Sequence, residues 1–186
     1  MSDQTAADWD FETEFAEAVD GVADEQFDRE QFVGGVGPLD ADVMLVGEAP
    51  GGQEVKQGEP FVGRAGQQLD RALEAFGRDR DDVYITNLVK VRPPENRDPH
   101  VPEIEAWRPV LEAEIDRVDP AVLVPMGSFA SDELLETDET ITDLHGREFE
   151  RDGRSVVPAF HPAAALYDRS TVQAVESDLE TAFDAA

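Results

Sequence analysis

Cysteine is absent from this chain of 186 residues. Without thiols the protein forms no disulfide bonds and offers no thiolate ligands to zinc or to an iron–sulfur cluster. Long apolar runs are absent too, since none approaches the roughly 20 residues that a membrane-spanning helix needs. The first residues, Met1 to Gln4, lack the basic flank and apolar stretch of a signal peptide. We therefore expect a cytoplasmic protein that does not enter membranes.

Positive charge is also scarce. The chain has 15 basic residues against 43 acidic ones, a formal net charge of -28, and only Lys56 and Lys90 are lysines. Such a surface repels nucleic acid and membranes at low salt. Because the acidic residues are spread through segments of folded character, we interpret the composition as halophilic, suited to a cytosol whose molar salt shortens the Debye length to about 3 Å. A dedicated acidic interaction protein is the alternative.

Short apolar runs alternate with helical patterns along most of the chain. Near-continuous runs are typical of strands buried on both faces, and they lie at residues 43–46, 83–85, 122–125 and 156–160. Apolar residues at helical spacing lie in segments 69–76, 104–118 and 172–183. This alternation predicts an α/β fold of three layers, with a central sheet of four parallel strands between two layers of helices.

We expect one domain spanning residues 1–186. Its first part, residues 1–33, is acidic, and the spacing of its aromatic side chains predicts a helix lying on the core formed by residues 34–186. Segment 148–154 predicts a hairpin insert, with Asp152 and Gly153 as its turn.

Polar residues cluster after three of the four predicted strands. The first cluster is a glycine-rich loop that carries Glu48, Glu54 and Phe61, the second spans residues 86–99, and the third begins at His161. The carboxyl ends of parallel strands meet at one edge, where open α/β sheets bind ligands. The sequence therefore predicts one crevice for a planar ligand, with acid/base groups beside it.

Three of the few basic residues, Lys90, Arg92 and Arg97, fall within eight positions of each other. In so acidic a chain, a local run of cations is typical of phosphate contact. The alternative is pairing within the chain, with Glu95 and Asp98.

These motifs resemble those of the family 4 uracil-DNA glycosylases. The match runs from about Gly34 to Leu166 and rests on GEAPG at 47–51, GEPFVG at 58–63, Asn87 with KVRPP at 90–94, NR at 96–97 and HP at 161–162. Members of the family hydrolyse the N-glycosidic bond of uracil in DNA, which leaves an abasic site for base-excision repair. The resemblance implies a DNA substrate and a reaction that needs no metal or cofactor.

The resemblance also implies how the base is held. Uracil must leave the stack before a side chain reaches its glycosidic bond. Phe61 would stack on the flipped base, although a core residue is the alternative. The Asn87 amide would pair with the O4 and N3–H edge, where cytosine presents the opposite pattern, although a turn residue at a strand end is the alternative. Gly47 and Ala49 would bring the backbone of the first loop against the base.

The catalytic roles follow from the same resemblance. His161 would hydrogen-bond uracil O2 and stabilise the departing anion. Glu48 or Glu54 would orient or activate the attacking water, or stabilise the sugar cation. Glu54 alternatively lines the pocket beside C5 and excludes the methyl group of thymine. The sequence leaves the division of labour between the two carboxylates open.

Contacts with DNA are implied in two places. Lys90, Arg92, Asn96 and Arg97 would bind the backbone, and the loop from Pro162 to Leu166 would press on the minor groove. Leu166, or an alanine before it, would be the apolar wedge that helps to unstack the duplex.

The chain departs from the family at one point. Typical members carry four cysteines that bind a [4Fe–4S] cluster, mainly a structural group that holds the loop of residues 90–97. Here Val91 and Trp107 stand at two of those positions, and the other two would fall between Asp20 and Arg29. We interpret this as a cluster site refilled with apolar side chains, and we expect a protein without cluster or cofactor whose loop rigidity is in question.

Two alternative functions stay open from the sequence. One is a non-catalytic protein that binds uracil or damaged DNA. The other is an enzyme of the same superfamily that acts on another deaminated base, such as hypoxanthine. We expect a monomer in either case.

Overall fold

The computed structural model describes residues 9–186. Expectations about residues 1–8, including the start of the acidic segment, lie outside the described residues. The strands are β1 Val43–Gly47, β2 Val83–Asn87, β3 Val122–Pro125, β4 Phe149–Arg151 and β5 Arg154–Val156. The helices are α1 Phe11–Glu14, α2 Ala16–Asp20, α3 Gly52–Gln57, α4 Gly63–Glu74, α5 Val101–Val118, α6 Ser128–Leu135, α7 Ile141–Leu144 and α8 Arg169–Asp184. Over residues 9–186, no helix combines the length and the apolar character that crossing a membrane requires.

The strands form one sheet in the order β2-β1-β3-β5-β4. The first four are mutually parallel and β4 pairs antiparallel with β5. The predicted count of four strands was therefore wrong. The predicted hairpin and the predicted fourth strand overlap, because the second arm of the hairpin is β5, which is also the strand that pairs parallel with β3. Its turn residues, Asp152 and Gly153, have φ values of 51° and 80°, which suits a tight hairpin.

Helices cover both faces of the sheet because successive strand residues point to opposite sides. From β1, Val43 and Leu45 pack in a cluster with side chains of α4 and α8. Met44 and Val46 pack on the other face with side chains of α5 and α6. The predicted helical segments correspond to α4, α5 and α8.

The N-terminal segment forms two short helices where one was expected. The break lies at Phe15, whose φ and ψ of -109° and 26° leave the helical region. Its apolar side chains nevertheless face the same way. Phe11, Phe15 and Val19 are buried in a third cluster with Trp107 of α5.

Candidate active site

The ends of β1 and β2 lie side by side and carry the first two polar clusters. Gly47 pairs with Asn87 in the parallel register. Beyond the strands, the Leu88 amide donates to the Gly47 carbonyl at 2.8 Å and the Val89 amide to the Glu48 carbonyl at 3.2 Å. The two loops therefore leave the sheet as a joined pair.

The third cluster reaches the same edge through β3 and the segment after β5. The Met126 amide donates to the Val46 carbonyl at 2.9 Å, and the Gly127 amide donates to the Ala159 carbonyl at 2.8 Å. A β-carbon built on Gly127 would lie 3.2 Å from the β-carbon of His161. The three clusters thus meet at one edge of the sheet, as the sequence predicts.

Gly47 lies at the centre of this edge, in close contact with two of the predicted site residues. A β-carbon built there would lie 2.4 Å from Asn87 Oδ1 and 2.7 Å from the rim of the Phe61 ring. Asn87 is buried, with 4% of its surface exposed. The amide and the aromatic ring therefore both pack directly against Gly47, at a position where only glycine fits.

Phe61 belongs both to the core and to this edge. It is 5% exposed and packs in the cluster with α4 and α8. Its ring also stacks on the ring of His161, with centroids 5.4 Å apart and planes 29° apart. The core position and the position beside Asn87 are compatible in this structure.

His161 sits at the start of a 3₁₀ turn, Pro162–Leu166, and caps it. Its Nδ1 accepts a hydrogen bond from the Ala163 amide at 3.1 Å. Because Nδ1 acts as the acceptor, a neutral ring carries its proton on Nε2. Burial lowers the pKa of His161 below its ordinary value, which favours the neutral ring at pH 7. In its neutral form His161 is thus an Nε2–H donor.

Glu48 follows β1 directly and is half-buried. Burial, with a smaller contribution from the neighbouring Asp98 carboxylate, raises the pKa of Glu48 to about 7. In its protonated form Glu48 donates a hydrogen bond to the Asp98 carboxylate, which raises the pKa in the same direction. Sequence reasoning considered Asp98 only as a partner for cations. In the sequence, only the proline-bounded turn around residues 93–99 indicates that the segment carrying Asp98 returns toward Glu48.

Glu54 and Ala49 lie near this edge in less direct positions. Glu54 is in the first turn of α3, and its Oε2 lies 2.7 Å from a β-carbon built on Gly51. Ala49 packs its methyl group against the third apolar cluster.

Lys90 does not reach the surface, so its interpretation as a DNA contact is wrong in this structure. Its side chain is fully buried and forms an ion pair with Glu114 of α5. Its ammonium group also donates to the Thr86 hydroxyl and to the Asn87 carbonyl. Desolvation lowers the pKa of Lys90 and raises that of Glu114. The pair supports the backbone beneath Asn87.

The other predicted DNA contacts lie closer to the surface. Arg97 forms two hydrogen bonds with the carboxylate of Glu103, at 2.7 and 3.0 Å, and donates to the Asp98 carbonyl at 2.9 Å. Pairing within the chain therefore does occur, and the carboxylate partner is Glu103 instead of Glu95 or Asp98. Asn96 is exposed at a φ of 56°. Arg92 lies with its guanidinium against Gly52, and among residues 9–186 its buried Nε has no hydrogen-bond partner.

The late loop places its side chains differently from the expectation. Pro162 is buried and Leu166 is half-buried, against α4 and α8. The next residue, Tyr167, is 85% exposed, the most exposed large hydrophobic side chain of the described residues. Sequence reasoning missed Tyr167, because its exposure depends on where the 3₁₀ turn ends.

The residues at the expected cluster positions do not fit an iron–sulfur group. The chain has no thiol, and Trp107 is buried with its ring 5.2 Å from that of Phe27 and 6.1 Å from that of Phe32. Val91 packs against the same cluster. Apolar side chains fill this region.

Comparisons with known proteins show which family the chain resembles. A profile of the uracil DNA glycosylase superfamily matches residues 35–183. The chain is 40% identical to the Type-4 uracil-DNA glycosylase of Sulfurisphaera tokodaii, over 82% of this chain and 73% of that protein. It is 40% identical to that of Archaeoglobus fulgidus, over 82% and 80%, and 42% identical to that of Thermotoga maritima, over 76% and 75%.

Proposed function

Because the chain belongs to the uracil-DNA glycosylase superfamily, we propose that it hydrolyses the N-glycosidic bond of uracil in DNA and leaves an abasic site. The observation that carries the proposal is the convergence of Asn87 and Phe61 on the backbone of Gly47, beside His161. A flipped pyrimidine needs an aromatic face and a polar edge partner, and this edge offers both.

Asn87 reads the base in this proposal. Its amide offers one acceptor and one donor group, which complement N3–H and O4 of uracil. A buried amide discriminates strongly, since a base with the opposite pattern would leave the amide unpaired. Its near-complete burial and its tie to the sheet through the Gly47 pairing support this role.

His161 stabilises the departing base. Bond cleavage places negative charge on uracil O2, and a neutral imidazole donates its Nε2–H to that oxygen without requiring a proton transfer. The accepting Nδ1 and the lowered pKa both support a neutral donor at physiological pH.

Glu48 is the proposed group that orients and activates water. A pKa near 7 matches the operating pH of a general base. Glu54 lies in the first turn of α3 and has the secondary role of lining the pocket. The carboxylate of Glu48 also places negative charge where the sugar becomes cationic.

DNA binds in this proposal despite the net charge of -28. Arg92, which is half-buried with its guanidinium against Gly52, supports a phosphate contact, and the exposed Asn96 and the partly exposed Arg97 follow it in the same loop. The exposed ring of Tyr167 supports stacking on a base of the opened duplex. Because counterion release contributes little in molar salt, such contacts and base flipping carry more of the affinity.

The test is release of uracil from a duplex with one uracil opposite guanine, measured as abasic sites in molar KCl. The expected product is absent from a thymine control duplex. Asn87→Ala and His161→Ala are expected to lower the rate by about 100-fold or more with unchanged thermal unfolding. Full activity in both folded variants would refute the site, and an inactive wild type that still selects uracil would indicate a binding protein.

A further inference from the structure

The backbone of Phe61 adopts a conformation that its side chain disfavours. Its φ is 52°, in the left-handed region where residues other than glycine are uncommon. Such a residue persists only where its surroundings hold it, and such positions concentrate at functional sites. The residues that hold Phe61 have no part in the chemistry proposed above.

Arg80 makes the holding contacts. Its Nη2 donates to the Phe61 carbonyl and its Nη1 to the Pro60 carbonyl at 3.2 Å. Its Nε donates to Asp70 Oδ1 at 2.6 Å. Three donors of one planar guanidinium therefore join the loop carrying Phe61 to α4.

Gly66 gives these carbonyls their position. A β-carbon built on Gly66 would lie 1.8 Å from the Phe61 carbonyl oxygen, so the loop packs directly on the backbone of α4. Any larger residue would force the loop away from the helix. The Phe61 carbonyl is thus confined between a glycine and a guanidinium.

We infer that Arg80, braced by Asp70, is a positioning residue that holds the Phe61 ring where the flipped base stacks; the inference rests on the proposed function. Arg80 is the first residue of the 3₁₀ turn Arg80–Asp82. This turn leads into β2, and β2 ends at Asn87. Arg80 therefore fixes the loop that carries the Phe61 ring relative to the strand that carries the Asn87 amide.

An arginine suits this task better than a lysine. Its guanidinium presents several N–H groups in a rigid plane, whereas an ammonium is a point charge on a flexible stem. If the contact were only electrostatic, Arg80→Lys would keep the activity. In our inference it behaves like Arg80→Gln.

The experiment measures kcat/KM for uracil release in molar KCl. Arg80→Gln and Arg80→Lys are expected to lower it about tenfold, and Asp70→Asn about threefold. The matched control is Arg78→Gln, because Arg78 contacts Asp82 and the Phe183 ring and not the Phe61 loop. Thermal unfolding identifies any variant that fails to fold, in which case Asp70→Asn carries the test. Unchanged kcat/KM in folded variants would overturn the inference.

A double-mutant cycle separates positioning from general stability. Phe61→Ala is expected to lower kcat/KM by about 5- to 150-fold, the range for loss of one base–aromatic stack. If Arg80 acts through Phe61, Arg80→Gln adds no further loss in the Phe61→Ala background. If the double variant loses kcat/KM by the product of the two single-variant factors, the inference is overturned.

Hydrogen exchange distinguishes this inference from the proposed function. If the wild type releases no uracil, the proposed function fails. Amide exchange of residues 61–66 then tests by itself whether Arg80 holds the Phe61 loop. Arg80→Gln is expected to raise exchange there at least tenfold while Arg78→Gln leaves it unchanged. Equal exchange in both variants would overturn the inferred role of Arg80 whether or not the protein is active.

Discussion

Replacing Asp98 by asparagine is expected to move the acid limb of the pH–rate profile to lower pH. The Asp98 carboxylate accepts a hydrogen bond from protonated Glu48, and its charge opposes ionisation of Glu48. Asparagine keeps the size of the side chain and removes the charge. The ionised, water-activating form of Glu48 then persists to a lower pH.

The expected size follows from the pKa of about 7 for Glu48. Below this pH the ionised fraction falls about tenfold per pH unit, so kcat/KM at pH 6 should be about tenfold lower than at pH 8. In Asp98→Asn the limb should stay above the ordinary carboxyl value of 4.5, because burial is the larger cause of the shift and is retained.

The assay is kcat/KM for uracil release between pH 5.5 and 8.5 at constant KCl concentration. Glu48→Gln serves as the control, since it should lose both most of the rate and the limb. A limb at the same pH in the wild type and in Asp98→Asn would refute the coupling. A limb near pH 7 that survives in Glu48→Gln would refute the assignment of the base.

Three further predictions concern packing, burial and charge. Gly47→Ala should lower the rate about 100-fold without changing the circular dichroism spectrum, because the methyl group would lie 2.4 Å from Asn87 Oδ1; near-normal activity would contradict the pocket. Lys90→Met should destabilise the fold by about 3–5 kcal/mol in urea unfolding, because it leaves the Glu114 carboxylate buried without its cation, and Lys90→Met with Glu114→Gln should recover part of this. The unfolding temperature should rise between 0.1 and 2 M KCl as charge repulsion is screened, and a flat response would count against the halophilic interpretation.

Much of the fold could be predicted because its elements carry their own signals. The continuous apolar runs of β1 and β3 and the stripes of α4, α5 and α8 need no distant partner to be recognised. The hairpin was recognised from its turn, but its second arm was not identified as the fourth parallel strand. That assignment depends on Ser155 and Val156 pairing with β3, a contact between segments over 30 residues apart.

The site was predictable in its location more than in its contacts. A strand-end position fixes the place of Asn87 and Gly47, so their meeting follows from topology. The burial of Lys90 does not, because its partner Glu114 lies on another element. Asp98 and Arg80 were missed for the same reason, since each acts on a residue distant in sequence, Glu48 and Phe61.

The loop of residues 90–97, whose rigidity the missing cysteines put in question, is held by ordinary contacts. The Val33 amide donates to the Lys90 carbonyl at 2.7 Å and the Arg92 amide to the Gln31 carbonyl at 3.0 Å, so the N-terminal segment adds a short antiparallel bridge to the loop.

The side chains complete this support. The rings of Phe27 and Phe32 pack on Trp107 beneath the bridge, and the Arg97–Glu103 ion pair ties the far end of the loop to α5. Apolar burial and backbone hydrogen bonds are not screened by salt as surface ion pairs are. The question of loop rigidity raised by the missing cysteines thus has a physical answer, in which the acidic N-terminal segment is part of the scaffold of the site.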